Sequence, residues 1–179
     1  MTYKESLTAA MSSLAVDPLV RFVGYGLLNN KGANGTIRDV SESQIIETPI
    51  SEGLMMGLAT GMSLRGLRPV VYIERMDFIP LCMDAMVNQL DSIARLSRGQ
   101  FQPAAIIRVM VGSKSKPPFT ALTHTRDFTE TILKTVSFPV VDFNGPGWAG
   151  APIIDSYSAA HRNLKYGQST MLIDHREFL

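Results

Sequence analysis

The chain has 179 residues, 45% of them hydrophobic and 18% charged, with a formal net charge of +1. That length supports one good-sized domain with its own core, and a near-neutral charge supplies no basic field to recruit nucleic acid. One cysteine, Cys82, excludes an internal disulfide and offers no metal cluster. No apolar run reaches the ~20 residues of a membrane span. The amino-terminal stretch lacks the basic-then-apolar order of a signal peptide. These features predict a soluble, cytoplasmic domain with no nucleic-acid and no membrane partner.

Taken in chain order, Tyr3–Ala15 reads as a helix, with Leu7, Ala10, Met11 and Leu14 at helical spacing, and Asp17-Pro18 ends it. Leu19–Gly24 reads as a short buried strand. The stretch "YGLLNNKGANGTIRD" is rich in glycine and asparagine, which is loop chemistry. Gln44–Glu47 is a short extended piece. Thr48-Pro49 reads as a helix start, with Thr48 as cap, a helix over Ile50 to Arg65, and Gly66 as its stop. "RPVVYIE" follows as a strand, and Met83–Ser97 as a second amphipathic helix. The apolar run 104–111 has the habit of a central parallel strand. A Gly/Pro/Ser loop leads to a helix over Asp127–Lys134. "VSFPVVDF" gives a strand blemished by Pro139, Pro152–Tyr166 a helix, and "STMLIDH" a last strand. This alternation predicts an α/β fold in three α/β/α layers, with a mostly parallel central sheet and a single domain over 1–179.

Two features of the segment 44–74 stand out. Gly53, Gly57 and Gly61 recur every four residues, so they fall near one helix face. Interior glycines cost roughly 1 kcal/mol each against alanine, and close approach of another helix, across a subunit interface, would offset that loss. Glu52 stands at the head of the same helix. Acidic residues are common in first turns because they complement the helix dipole; the competing reading is a buried carboxylate that holds or donates a proton. Phe78 reads as a core aromatic on spacing alone. His124 lies in a loop between a strand and a helix, a common place both for surface decoration and for catalytic histidines. His161 and His175 have no partner at metal-ligand spacing. The Gly-rich dinucleotide and P-loop signatures and the Gly-x-Ser-x-Gly elbow are all missing from the sequence.

"IIETPISEG", followed by "GLRPVVYIE" and then "MDFIPLCMDAMVNQ", resembles the pyrimidine-binding domain of thiamine-diphosphate enzymes. It is most similar to the beta subunits of 2-oxo acid dehydrogenases, with transketolases further off. The resemblance spans nearly the whole chain. It implies that Glu52 matches the glutamate that touches a ring nitrogen of the cofactor's aminopyrimidine and promotes its imino form. It implies that Phe78 packs on the pyrimidine ring, that Ile50 and Ser51 line the pyrimidine pocket, and that His124 faces the substrate and shuttles protons. It also implies thiamine diphosphate as cofactor, with Mg2+ held mainly by an alpha-like partner subunit that carries the diphosphate-binding domain. A heterotetramer with a symmetric pair of this chain follows from the same likeness. So does a reaction on a small-molecule donor, a 2-oxo acid or a ketose, by decarboxylation or by acyl or ketol transfer.

Two departures accompany the likeness. Family beta subunits usually carry an acidic pair soon after the first strand, where this chain has Tyr25-Gly26, and they continue into a carboxy-terminal domain, where this chain stops at Leu179. The alternative to an enzyme half is a non-catalytic pyrimidine-domain module kept for assembly or regulation.

Overall fold

The computed structural model describes residues 1–28, 32–115 and 123–179, so the expected loops that follow the first strand and the 104–111 strand lie partly outside the described residues. Six strands form one parallel sheet: β1 (Val20–Gly24), β2 (Ile45–Glu47), β3 (Arg68–Ile73), β4 (Ile106–Val111), β5 (Val140–Asp142) and β6 (Thr170–His175), in the order β2-β1-β3-β4-β6-β5. Helices α1 (Tyr3–Ala15), α2 (Glu52–Leu64), α3 (Ile93–Leu96), α4 (Thr129–Thr135) and α5 (Ala151–Leu164) cover it. The expected three-layer α/β/α fold is the one observed.

Side chains of the central strands alternate between two cores, as the period of a strand requires. Val71 and Ile73 of β3 with Ile107 and Val109 of β4 pack under α2 and the segment 76–91, against Met55, Met56, Ala59 and Met86. Val70, Ile106 and Leu172 face the other way, onto Leu7, Met11 and Leu14 of α1 and Ile153 and Tyr157 of α5. Both faces of the sheet are covered, which is why its strands read as nearly unbroken apolar runs. Helix α1 opens on a capping box: the Thr2 hydroxyl accepts from the Glu5 N–H, and the Glu5 carboxylate accepts from the Thr2 N–H.

Three local expectations are corrected. The helix after β2 does not begin at Ile50 with Thr48 as its cap; Ser51 is the cap residue and the helix runs Glu52–Leu64. Thr48 still belongs to the sheet, because its N–H continues the parallel ladder by donating to the Gly24 carbonyl at 3.0 Å. The stop at Gly66 holds. Its φ is +84°, its N–H reaches the Ser63 carbonyl at 2.9 Å and the Leu67 N–H reaches Met62 at 3.1 Å, the paired bonds of a Schellman ending. Met83–Ser97 is not one α-helix. A π-helical stretch, Asp84–Asp91, precedes the short α3. Its buried residues Ala85 and Met86 precede the buried Leu90 by five and four positions, one wider i→i+5 turn. Pro139 lies just before β5, at the sheet edge, where a missing N–H costs no ladder bond.

A charge pair lies at the centre of the α1/α5 core. The Arg108 guanidinium on β4 donates through Nε to the Asp174 carboxylate on β6 at 2.6 Å, and through Nη1 to the Thr36 hydroxyl at 2.7 Å. Arg108 is 1% exposed and Asp174 0%. The Tyr157 hydroxyl donates to the same carboxylate, and the Arg108 guanidinium stands 5.3 Å from the centre of the Tyr72 ring. Burial alone would lower the Arg108 pKa, but the Asp174 charge outweighs it and holds the group firmly protonated. Removing one partner leaves the other charge stranded, so Arg108→Met is expected to cost about 3–5 kcal/mol in denaturant unfolding, and adding Asp174→Leu to recover much of that loss.

Candidate functional site

The chain leaves β1 for β2 on one side of it, then crosses back to place β3 on its other side. The carboxyl ends of β1 and β3 therefore diverge, and an open crevice at such a switch point is where parallel α/β sheets bind ligands. All of the residues expected to act lie along this carboxyl edge or on the segments that follow it.

Glu52 is the first residue of α2 and is 6% exposed. It caps nothing: its carboxylate has no hydrogen-bond partner among the described residues, and Ser51 makes no side-chain cap either. A second unpartnered polar group lies just upstream, the buried Thr48 hydroxyl. A buried carboxylate without donors is costly and normally finds a partner. Its charge is felt by Cys82, whose thiol is pushed up to about 12, first by burial and then by Glu52. Cys82 ends the 3-10 segment Met76–Cys82, and a Cβ on Gly53 would stand 3.2 Å from the Leu81 carbonyl oxygen. The glycine at 53 thus lets the head of α2 seat on this segment.

Phe78 lies on the same 3-10 segment and is half-buried. Its ring meets the His124 imidazole edge-on, with centroids 5.2 Å apart and an interplanar angle of 67°. The structure thus brings Phe78 and His124 into contact, and places Glu52 at the other end of the segment that carries Phe78. His124 is held from behind. A Cβ on Gly112 would stand 1.7 Å from the His124 carbonyl oxygen, so only glycine at the end of β4 leaves room for the 123–126 segment. His124 itself has a φ of +62°, and the Arg126 N–H donates to the Asp77 carboxylate at 3.3 Å. Ser51 is half-buried beside Glu52, whereas Ile50 is 67% exposed and closes no pocket within this chain.

Sequence reasoning missed a cleft of about 370 Å³ in the β1/β3 crevice, lined by Tyr25, Asn34, Tyr72, Glu74, Arg75 and Arg176 among others. It also missed the group that shapes the cleft. The Glu47 carboxylate, at the end of β2, accepts from the Gly26 and Leu28 N–H groups and ties down the loop after β1. The available signal was position: Glu47, Tyr25, Glu74 and Arg75 all stand at or just beyond the carboxyl ends of expected strands. His161 and His175 pair with Asp17 and Asp142 respectively, and no cluster able to hold a metal ion occurs among the described residues. No helix among them is long and apolar enough to cross a membrane.

The six-stranded parallel sheet with helices on both faces is a fold shared with thiamine-diphosphate and transketolase structures. The chain is similar over 96% of its length to a split-gene transketolase solved as an inactive beta4 tetramer, with a TM-score of 0.69, 12% identity and 50% of that chain covered. It is also similar over 94% of its length to a thiamine diphosphate-dependent 4-hydroxybenzoylformate decarboxylase of Rhodococcus jostii RHA1, with a TM-score of 0.64, 13% identity and 29% of that chain covered. In sequence, it is similar to beta subunits of pyruvate dehydrogenase E1 components and of an acetoin oxidoreductase. The beta subunit of a Rickettsia conorii pyruvate dehydrogenase E1 component is 28% identical over 134 residues, which is 72% of this chain and 40% of that subunit. The beta subunit of the acetoin:2,6-dichlorophenolindophenol oxidoreductase of Cupriavidus necator is 27% identical over 110 residues, 54% of this chain and 32% of that subunit. The chain thus spans well under half the length of these relatives, and no family model matches it.

Because the His124 carbonyl fills the space over Gly112, Gly112→Ala is expected to displace the 123–126 segment while leaving the sheet intact. The measurement is NMR of the labelled protein: the His124 ring signals shift and their cross-peaks to Phe78 disappear, with amide dispersion of β4 and β6 retained.

Proposed function

We propose that this chain is the pyrimidine-domain, beta-like subunit of a heteromeric thiamine-diphosphate enzyme acting on a 2-oxo acid or ketose donor, with Glu52 as the activating carboxylate. The observation that carries the reading is Glu52 itself: a buried carboxylate without a protein donor, at the head of a helix on the ligand-binding edge of the sheet. The residues present fit the cofactor's aminopyrimidine. Glu52 and the unpartnered Thr48 hydroxyl offer a proton-holding oxygen and a polar neighbour, and the Phe78 ring offers a face for an aromatic heterocycle. Bound thiamine diphosphate would supply the electron sink for cleaving the bond next to the donor carbonyl.

The chain's own residues do the rest. Glu52 would hold a proton at a ring nitrogen of the bound cofactor. Phe78 and Ser51 fix the ring beside it. His124, steadied by the Phe78 edge and by its backbone seat on Gly112, stands where it can pass a proton to or from substrate oxygen. Mg2+ and the diphosphate fall to an alpha-like partner, as does the wall that the exposed Ile50 lacks. The outward face of α2 supports such assembly. Gly57 and Gly61 have nothing within 4 Å where a Cβ would stand, and Leu54 and Leu64 on the same face are 49% and 43% exposed.

The test is co-expression with a polypeptide that carries the diphosphate-binding domain, followed by cofactor binding and 2-oxo acid turnover. Glu52→Gln is expected to lower turnover about 100-fold or more with the assembly intact. Unchanged turnover in that variant would sink the assignment, and assembly without cofactor binding would point to the non-catalytic module instead. A second expectation concerns α2. Gly57→Leu should preserve or slightly raise thermal stability of the isolated chain, since the site has room and leucine is the better helix former, yet abolish co-purification with the partner.

A further inference from the structure

The cleft in the β1/β3 crevice contains a cation whose donors are largely unused. The Arg75 side chain is 9% exposed, and its hydrogen bonding to the protein is slight: Nη1 donates to the Glu74 carbonyl at 2.7 Å and pairs with the Glu74 carboxylate at 3.3 Å. Nε and Nη2 have no partner among the described residues. A guanidinium this buried ordinarily spends its five donors on carboxylates, carbonyls or a ligand. Here the remaining donors belong to a group that lines an open cleft of about 370 Å³, within the usual span of small-molecule sites.

A second unused donor lines the same cleft. The Tyr72 hydroxyl accepts from the Asn34 side-chain amide at 3.3 Å and gives its own proton to no described residue. Burial pushes the Tyr72 phenol up to about 12, against the pull of Arg108, so it stays a donor at neutral pH. Arg176 also lines the cleft, its Nη1 donating to the Asn34 side-chain amide oxygen at 3.1 Å. Glu74 is the only carboxylate among the described residues that line the cleft, and its side chain is 48% exposed.

We propose that Arg75 and Tyr72 form an oxyanion subsite, which takes the carboxylate or phosphate at the non-reacting end of the substrate. Arg75 presents the planar donor edge that a carboxylate or phosphate accepts in a fork, and Tyr72 closes the third side. The subsite lies three residues upstream of Phe78 on the same strand-to-helix connection, so a bound small molecule could be anchored here while its reacting carbon lies nearer the Phe78–His124 pair. Anchoring a remote group in this way converts binding free energy into orientation at the reacting centre. The assignment rests on the reading that this crevice handles a small 2-oxo acid or ketose, but its test requires neither cofactor nor partner.

The experiment is an NMR titration of the full chain, following the arginine Nε–Hε signals, with sodium acetate and inorganic phosphate against sodium chloride at matched ionic strength. A saturable shift of the Arg75 signal with acetate or phosphate, and none with chloride, is expected. The oxyanion that binds tighter identifies the substrate end as carboxylate or phosphate. Arg75→Gln should weaken binding about tenfold or more, as loss of a charge-assisted pair does. Tyr72→Phe, which keeps the ring on Arg108, should weaken it about threefold. No saturable shift in the wild type overturns the subsite, and so does undiminished binding in a folded Arg75→Gln. Should that variant fail to fold, unchanged affinity in Tyr72→Phe overturns it. The result is separable from the cofactor reading, which stands or falls on Glu52→Gln turnover.

Discussion

The Arg108–Asp174 pair is the constraint around which this fold is arranged. It joins the neighbouring strands β4 and β6 inside the layer covered by α1 and α5, where a charge is tolerated only if it is paired and hydrogen-bonded. Satisfying it recruits side chains from three further places. Thr36 arrives from the loop after β1, Tyr157 from α5, and Tyr72 from β3 lays its ring near the guanidinium. The loop after β1 buries Leu27, Ile37 and Val40 in the same core, and Ala33 and Asn34 adopt left-handed backbone there. The bond to Arg108 anchors its far end, as Glu47 anchors its near end. One buried charge pair thus positions Asn34 and Tyr72, and through them the cleft wall.

Much of the architecture could be read from the chain because it depends on local rules. Continuous apolar runs at 70–73 and 106–111 announce strands buried on both faces, and the Gly66 stop of α2 follows from left-handed geometry that glycine adopts without strain. What was illegible depends on pairing between distant residues. Thr48 has the composition of a helix cap, and only the position of Gly24 across the sheet keeps it in the ladder. The π-helical turn at Asp84–Asp91 likewise follows from what Met86 and Leu90 pack against, not from a local signal. Arg108 is the one charged residue of β4, and its partner lies 66 residues further on.

The candidate site divides along the same line. Glu52, Phe78, Ser51 and Ile50 were found through a motif, and the fold places them around one turn-rich segment at the carboxyl edge. The contact between Phe78 and His124 was not legible, since it depends on Gly112 admitting a backbone carbonyl from a residue 12 positions further along. Arg75 was hidden for a different reason. A charged residue just beyond a strand reads as ordinary solvated surface, and only its burial beside an open cleft separates it from the many that are.

Helix α2 shows how fold and proposed function constrain each other. Its inner face, Met55, Met56, Ala59 and Met62, would be satisfied by an ordinary helix with alanines on the outside. Instead the outer face carries Gly57 and Gly61 between exposed leucines, at a cost of about 1 kcal/mol for each glycine. Among the described residues nothing packs where those side chains would stand. The same helix begins with a carboxylate that has no hydrogen-bond or ion-pair partner among the described residues. Two uncompensated features on one element have a common resolution if a second polypeptide approaches along the glycine face and a ligand is enclosed at the Glu52 end. A monomeric chain would have no use for the glycines, because alanine at 57 and 61 would each make a more stable helix.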